Sequence, residues 1–520
     1  MSPTLLFTFV FGYFLLLLGV AWYTSRNSNN ETFFIGNRSS NWMLVAFGMI
    51  GTSLSGVTFV SVPGTVGIGG FGYFQVVIGY FLGYFVVAFI LLPRYYEMNL
   101  TSIYSYLLQR FGFASYKTGA LFFIISRTLG ATARLYLVIN VLQIFILDEM
   151  NVPFWLTTFV ILLMILLYTF EGGVKTIVFT DTLQTSFMLI GLLVCVTYIM
   201  NQLNLSFSGT WAALKSHNYN ALINTDYKSS GYFLKSVIGG AFITIAMTGL
   251  DQEMMQKNIS VNNLRNSKKN MITLSILQAV VVFIFLVLGG LLYLFAISKG
   301  GAFQQVMVNG KSQMQFLLDN KNILGDNIFP QIAFNYLPPI IGVIFILGLI
   351  SALFPSADGA LTALTSSFCI DIIGLKRNES RNEKQKKNIR MTVHMTFAVI
   401  FFLCVAFFKW IDNKSLIDII LKVAGYTYGP LLGLFSFGIF TKRSLPESAA
   451  VSVVCLIAPA ICYYVSDNSA KWFNGFQIGI ELLIFNGLLT FIGLLFISKK
   501  PHTSPLTPEL KDKLVQTLRL

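Results

Sequence analysis

The sequence predicts an all-α membrane protein with about thirteen transmembrane helices. Hydrophobic residues make up 55% of the 520 residues and charged residues only 11%, with a mean hydropathy of +0.70. A soluble chain carries roughly twice that charged fraction. Apolar stretches of about 20 residues, enough to cross a hydrocarbon core of about 30 Å, recur from end to end. They lie at residues 5–23, 42–62, 70–93, 118–147, 153–171, 176–201, 234–257, 271–298, 339–372, 391–411, 418–441, 447–466 and 474–498.

The basic residues predict how these helices are oriented. With the N-terminus outside, the inside segments hold 24 Lys and Arg residues and the outside segments nine, which is the bias of the positive-inside rule. The net charge of +14 is explained in this way without a nucleic-acid partner. We expect a multi-pass protein of the plasma (inner) membrane, with its N-terminus outside and its C-terminus in the cytoplasm. The first window has no basic region before it and no small-residue cleavage site, so we expect an uncleaved span.

Several function classes find no support in the sequence. There is no Gly-rich phosphate loop, no Walker lysine and no nucleophile beside a base, so we expect no enzyme. The cysteines show no CxxC spacing, which argues against a zinc site or a disulfide framework. The tail at 499–520 is too short for a nucleotide-binding or sensor output domain.

Two of the apolar windows are interrupted by polar and flexible residues. The second contains "GTSLSGVTFVSVPG" (51–64), and the seventh, five windows later, contains "MTGLDQEMMQKN" (247–258). Irregular backbone at membrane depth survives only where it is buried in protein or lines a wet cavity. Paired discontinuous helices in two halves are typical of inverted-repeat transporters; the alternative is that small residues merely allow close helix packing.

This pairing predicts one transporter domain over residues 1–520. Helices 2–6 (42–201) form the first repeat and helices 7–11 (234–441) the second. Residues 442–498 add two C-terminal helices, and 499–520 form a cytoplasmic tail.

Four stretches resemble the sodium:solute symporter family, in family order, within a resemblance that covers about residues 5–498. They are "EGGVKTIVFTDTLQ" (171–184), "GLDQEMMQK" (249–257), "SADGALTALTSSFCIDI" (356–372) and "GYTYGPLLGLFSFGIFTKR" (425–443). In the second stretch, Asp251 and Lys257 replace the asparagine and arginine of the family motif. The resemblance implies a leucine-transporter-like five-plus-five inverted repeat and solute uptake driven by sodium, with Na⁺ as the coupling ion.

The resemblance also implies where sodium binds. Helix 2 would contribute carbonyls at Gly51 and Leu54, and helix 9 would contribute oxygens at Ala352, Pro355 and Ser356. Pro355 stands where the family usually has a hydroxyl. Proline supplies only a carbonyl, but it also frees the carbonyl one turn back.

A second cation site occurs in some family members, and its positions match Asp181, Asp358 and Gly359 here. Two carboxylates close together at low dielectric need a cation between them, or one must take a proton. We therefore expect Asp358 to be a cation ligand or a proton-carrying acid paired with Asp181. The alternative is a packing role, with Asp358 bonded to neighbouring hydroxyls.

The fourth window suggests what is transported. Arg127 and Arg134 are seven residues apart and share a helix face. Because arginine binds carboxylates through two hydrogen bonds, an anionic solute is expected; the alternative is a structural ion pair with Asp251 or Glu253. The segment "SLSGVTFVSVP" resembles the sialic-acid-transporting branch, whose carboxylate-binding arginine aligns near Gly130. The expected solute-binding residues are Ser53, Ser55, Thr58, Gln75, Tyr80, Arg127, Arg134, Asp251 and Gln252.

The sequence thus predicts a sodium-coupled symporter that imports a small organic solute, and the arginines favour an anionic one, such as a carboxylated sugar or another organic acid. A proton-coupled carrier of the same fold is the main rival, and a sodium symporter of a neutral sugar or vitamin is another. Two further alternatives are a channel of this fold, which uptake against a gradient would exclude, and a transporter-like receptor, for which no output domain is visible. The expected partners are the solute, sodium ions and the lipid bilayer; the oligomeric state is not predicted.

Overall fold

A computed structural model describes residues 3–26, 30–148, 150–170, 172–308, 311–375, 377, 381–411 and 416–500. Most of this length is helical. The helices are α1 (Pro3–Ser25), α2 (Asn30–Ile35), α3 (Trp42–Gly69), α4 (Phe74–Val86), α5 (Leu92–Glu97), α6 (Ser105–Phe111), α7 (Phe113–Leu142), α8 (Phe154–Thr169), α9 (Gly173–Gln202), α10 (Phe207–Ser216), α11 (Phe233–Thr244), α12 (Gln252–Ile259), α13 (Leu264–Ser298), α14 (Ile328–Asn335), α15 (Pro339–Ser367), α16 (Glu383–Ile411), α17 (Leu416–Phe440), α18 (Ala450–Trp472) and α19 (Leu482–Ile497).

The predicted membrane windows coincide with these helices. Among the described residues, nine helical spans are long and apolar enough to cross a bilayer, and α11 with α12 forms a further span bent by 64°. The helices α8 and α19 are shorter but apolar. π-helical turns at Val87–Leu91, Gln143–Leu147 and Phe368–Ile373 prolong α4, α7 and α15. The predicted helical membrane fold is confirmed, apart from one small sheet described below, whereas the count of thirteen helices and the repeat boundaries stay predictions.

The middle of the bundle is built around α3 and α15. Helix α3 packs against α9, α13 and α15, and α15 packs against α3, α7 and α9. In the membrane window of α15, 83% of the residues are buried, against 22% in that of α18. Helix α15 therefore lies at the centre of the protein and α18 at its edge, facing lipid.

Both predicted discontinuous helices are broken. In α3 the break is at Ser55, whose φ of +47° and ψ of 169° lie outside the helical region. The second break follows the π-helical turn Ile245–Gly249, where Leu250 and Asp251 leave the helical path before α12 begins. Each break leaves carbonyls at the end of one half-helix and N–H groups at the start of the next without helical partners. Polar backbone is thereby brought to the membrane interior.

One element was not anticipated from the sequence. Strands β1 (Ala302–Val308), β2 (Lys311–Leu318) and β3 (Lys321–Asn322) form an antiparallel sheet between α13 and α14. Phe316 of β2 packs on Tyr293 of α13. The Tyr293 hydroxyl in turn donates to the Gly64 carbonyl of α3 at 2.9 Å. The sheet thus covers the end of the bundle beside the second half of α3.

Candidate functional site

The predicted sodium residues lie where α3 and α15 touch. The break at Ser55 leaves the carbonyls of the preceding turn, residues 51–54, without the partners of a continuous helix. Gly51 lies directly against α15, since a Cβ there would be 3.3 Å from the Pro355 ring. The Ser356 hydroxyl donates to the Leu353 carbonyl at 2.8 Å. The two halves of the predicted set, Gly51 with Leu54 and Ala352 with Pro355 and Ser356, therefore belong to neighbouring buried segments.

A cavity of about 110 Å³ lies beside the α3 break. Six predicted solute-binding residues line it, namely Ser53, Ser55, Thr58, Tyr80, Arg127 and Arg134. The rest of the lining is Thr52, Val57, Tyr73, Tyr84, Ile243, Thr244, Met247, Thr248, Met254 and Gln278. Tyr73, Tyr80 and Tyr84 follow helical spacing, a signal that could have identified this aromatic wall from the sequence. The walls combine hydroxyls and aromatic rings with two guanidinium groups.

The two arginines of α7 have different surroundings. Arg127 is buried and forms an ion pair with Glu253, and its second terminal nitrogen lies 3.8 Å from Asp251. Arg134, about two helical turns further along the same face, is half-buried at the cavity. Among the described residues, Arg134 has no hydrogen bond and no acid within 4 Å. The structural ion pair considered for these arginines thus exists for Arg127, whereas the charge of Arg134 faces the cavity.

Three predicted solute-binding residues are absent from the described lining of this cavity. Asp251 caps α12 by accepting from the Glu253 and Met254 N–H groups, and it accepts from the Tyr428 hydroxyl at 2.6 Å. Gln252 points elsewhere, because its amide binds the Ile103 N–H and the Thr101 carbonyl. Gln75 lines a different cavity. The polar groups of Asp251 and Gln252 are therefore engaged in holding the broken helix.

The second cavity, of about 790 Å³, lies beside the first. Gln75, Asn224, Tyr426, Asp467 and Gln477 are among its lining residues. Tyr73 lines both cavities, and its hydroxyl lies 3.4 Å from that of Tyr80. The pair of tyrosines therefore separates a wide vestibule from the narrow arginine-lined chamber.

A buried charge cluster lies at the break on the side of α15. The Lys257 ammonium is 2.7 Å from Asp181 Oδ2, 2.7 Å from Thr52 Oγ1 and 3.7 Å from Glu253 Oε1. Thr52 also donates to Asp181 at 3.2 Å. Lys257 was not among the predicted site residues, although its replacement of the family arginine marked it. The predicted acid Asp181 is thus already paired with a cation of the chain.

Asp358 completes the cluster from α15. Its Oδ2 accepts from the Tyr168 hydroxyl at 2.7 Å, and no described group donates to its Oδ1. The next residue, Gly359, adjoins Lys257: a Cβ at Gly359 would lie 3.0 Å from the lysine Nζ. Asp181 and Gly359 therefore adjoin the lysine ammonium directly, whereas the Asp358 carboxylate lies more than 4 Å from it. No cluster of three or more His, Cys, Asp or Glu side chains suited to a metal occurs in the described part of the chain.

Comparisons with known proteins identify the family of the chain. The profile of the sodium:solute symporter family matches residues 33–455. The sodium/sialic acid symporter NanT of Aliivibrio fischeri is 22% identical over 94% of this chain and 93% of its own length. The sodium/sialic acid symporter SiaT of Proteus mirabilis is 24% identical over 92% and 93%.

The fold is shared with a solved transporter. A Na⁺-coupled sialic acid symporter in a substrate-bound, outward-open state superposes with a TM-score of 0.79, at 19% identity, over 95% of this chain and 99% of that one. The family match covers most of the chain, and the superposition establishes the leucine-transporter-like fold. The protein is accordingly a sodium-coupled solute transporter of the membrane and not an enzyme. The chain belongs to the sodium:solute symporter family.

Proposed function

We propose that this symporter imports a small carboxylated solute, of the class of acidic sugars such as sialic acid, together with sodium. One observation carries the proposal: the guanidinium of Arg134 faces the small cavity without an acidic partner among the described residues. A cation inside a membrane protein is unfavourable unless it is neutralised. A solute carboxylate would neutralise it through two parallel hydrogen bonds.

The rest of the cavity suits a polar, hydroxylated solute. Ser53, Ser55 and Thr58 present hydroxyls at the break of α3. The second half of α3 begins there, and its unpaired N–H groups favour negative charge. Tyr73, directly before α4, and Tyr80 on α4 add hydroxyls and ring faces. An acidic sugar would use the guanidinium for its carboxylate and these hydroxyls for its ring.

The sialic acid symporters among the relatives support this substrate class. Arg134 lies one helical turn after Gly130, near which the branch's carboxylate-binding arginine aligns, so it points from the same face. Arg127 is paired with Glu253 and is assigned a structural role. A neutral sugar or vitamin is the alternative, and it would leave the Arg134 charge without a partner.

We further propose that the transported sodium ion binds between α3 and α15, to oxygens at Gly51, Leu54, Ala352, Pro355 and Ser356. The contact between Gly51 and Pro355, together with the carbonyls freed at the Ser55 break, supports this site. Asp181, Asp358 and Gly359 form a second cation position. We also infer an N-out, C-in orientation in the plasma (inner) membrane, and two repeats over 42–201 and 234–441, from the charge bias and the paired breaks.

Uptake by proteoliposomes that contain the purified protein tests the proposal. The panel consists of sialic acid, its uncharged methyl ester, a neutral hexose and a vitamin, each with and without an inward sodium gradient. The expected result is sodium-dependent accumulation of the acid, with little uptake of the ester. Equal uptake of the acid and its ester, or preference for the hexose, would refute recognition of a carboxylate.

A further inference from the structure

Lys257 is a buried cation that contacts the proposed second cation position through Asp181. Only 3% of the Lys257 side chain is exposed. Its ammonium lies near oxygens of three side chains, which belong to α3, α9 and α12. Two of them, Thr52 Oγ1 and Asp181 Oδ2, are each at 2.7 Å. A lysine ammonium has three donors, and two are used here; Glu253 Oε1, at 3.7 Å, is an ion-pair partner beyond hydrogen-bond distance.

One of these groups, the Asp181 carboxylate, belongs to the predicted second cation position; Lys257 binds its Oδ2, and its Oδ1 has no described donor. Asp181 is the only acid of the second cation position that Lys257 contacts within 4 Å in the described part of the chain. A sodium ion bound to Asp181 would lie a few ångströms from the ammonium, and two like charges at that distance in a buried site repel strongly. The ammonium and a second sodium ion therefore exclude each other.

The residues of α15 beside Lys257 leave space for its ammonium. Gly359 on α15 offers no side chain, and a Cβ there would lie 3.0 Å from the Lys257 Nζ and would also meet the Glu253 carboxylate. Asp358, next to it, has one carboxylate oxygen without a described donor and feels the field of Lys257. The absence of a side chain at 359 thus leaves room for the ammonium, and the acids around it compensate its charge.

We propose that the ammonium of Lys257 takes the place of a second transported cation, so that the protein moves one sodium ion per solute molecule, through the site between α3 and α15. The inference rests on the proposed sodium site. A sodium ion leaves its site during each cycle, whereas the lysine is tethered to α12 and remains. If the solute is a monoanion, one sodium ion per solute makes uptake electroneutral.

Sodium itself is the probe in the decisive experiment, because its binding does not depend on the identity of the solute. Equilibrium binding of ²²Na⁺ to the purified full-length protein should give one site per chain. Lys257→Met removes the charge at nearly constant volume and should raise the count twofold, to two sites. Lys257→Arg keeps the charge and should leave one site. Lys235→Met, which removes a lysine near Glu481 in another part of the protein, is the matched control and should also leave one.

The alternatives give different results. Two sodium sites in the wild type would overturn the inference while leaving the sodium coupling intact. No sodium binding in the wild type would refute the proposed sodium site itself. A single sodium site in a folded Lys257→Met variant would also overturn the inference, because Lys257 would then have only the structural role of an ion-pair partner. If Lys257→Met does not fold, the double variant Asp181→Asn/Lys257→Met replaces it, because it removes both charges of the ion pair. This double variant should fold and bind one sodium ion. Two sodium sites in it would also overturn the inference.

A second readout follows from charge balance. Sialic acid uptake into proteoliposomes by the wild type should not respond to a membrane potential set with potassium and valinomycin. In Lys257→Met, a second sodium ion would add one positive charge per cycle, and an inside-negative potential should accelerate uptake. Potential-dependent sialic acid uptake by the wild type would contradict one-sodium coupling.

Discussion

Replacing Arg134 by lysine tests how the solute is recognised. Arg134 is half-buried at the cavity, and its guanidinium has no acidic partner among the described residues. Lysine keeps the positive charge but loses the planar fork that binds both carboxylate oxygens. We expect Arg134→Lys to fold normally and to bind the carboxylated solute more weakly.

The expected magnitude follows from one lost hydrogen bond. A hydrogen bond to a charged group contributes about 1.5–3 kcal/mol. Since each 1.4 kcal/mol is tenfold in affinity, the half-saturation concentration should rise by about one to two orders of magnitude. Sodium dependence should persist, because the proposed sodium residues lie on α3 and α15 and not on α7.

The assay compares sialic acid with its methyl ester in wild-type and variant proteoliposomes. Wild type should strongly prefer the acid, and Arg134→Lys should lose most of that preference. Arg127→Lys is the matched control from the same helix, and since Arg127 pairs with Glu253, its main effect should be a lower melting temperature. Normal affinity in both variants would refute carboxylate recognition by α7, and a selective loss in Arg127→Lys would reverse the two roles.

Three further substitutions separate ion binding from packing. Ser356→Ala removes a hydroxyl from the proposed sodium site and should raise the half-saturation concentration for sodium more than it lowers the melting temperature; an unchanged value would exclude Ser356 as a ligand. If Lys257 supplies the second positive charge, Asp358→Asn should leave the sodium-to-solute flux ratio unchanged. A lower ratio would identify Asp358 as a ligand of a transported ion. A flattened pH dependence of uptake would indicate that Asp358 carries a proton. Asp371→Asn replaces a carboxylate that accepts hydrogen bonds from the hydroxyls of Ser102, Tyr116 and Ser367. The free energy of unfolding should fall by about 1–3 kcal/mol, with unchanged solute affinity. An altered affinity would contradict a purely structural role.

The sequence alone was sufficient for the fold class and for the positions of both broken helices. Hydrophobicity over about 20 residues is a local property, so the membrane windows could be recognised without tertiary information. The glycines and hydroxyls at 51–56 and the Gly-Leu-Asp segment at 249–251 indicate the two breaks, and this signal is also local. A helix that loses its regular backbone needs residues that tolerate the new conformation. The sheet between α13 and α14 was missed, although Asn309-Gly310 is a sequence typical of tight hairpins.

Only the tertiary structure distinguished the charged residues from one another. Helical spacing placed Arg127 and Arg134 on one face but could not indicate that Glu253, 126 residues from Arg127, lies within reach of the first and not of the second. Likewise, Lys257 and Asp181 are 76 residues apart and meet because α9 and α12 both pack beside the break in α3. The energetic cost and the role of a buried charge depend on the partner that neutralises it. That partner comes from the packing of distant helices, which the local sequence does not contain.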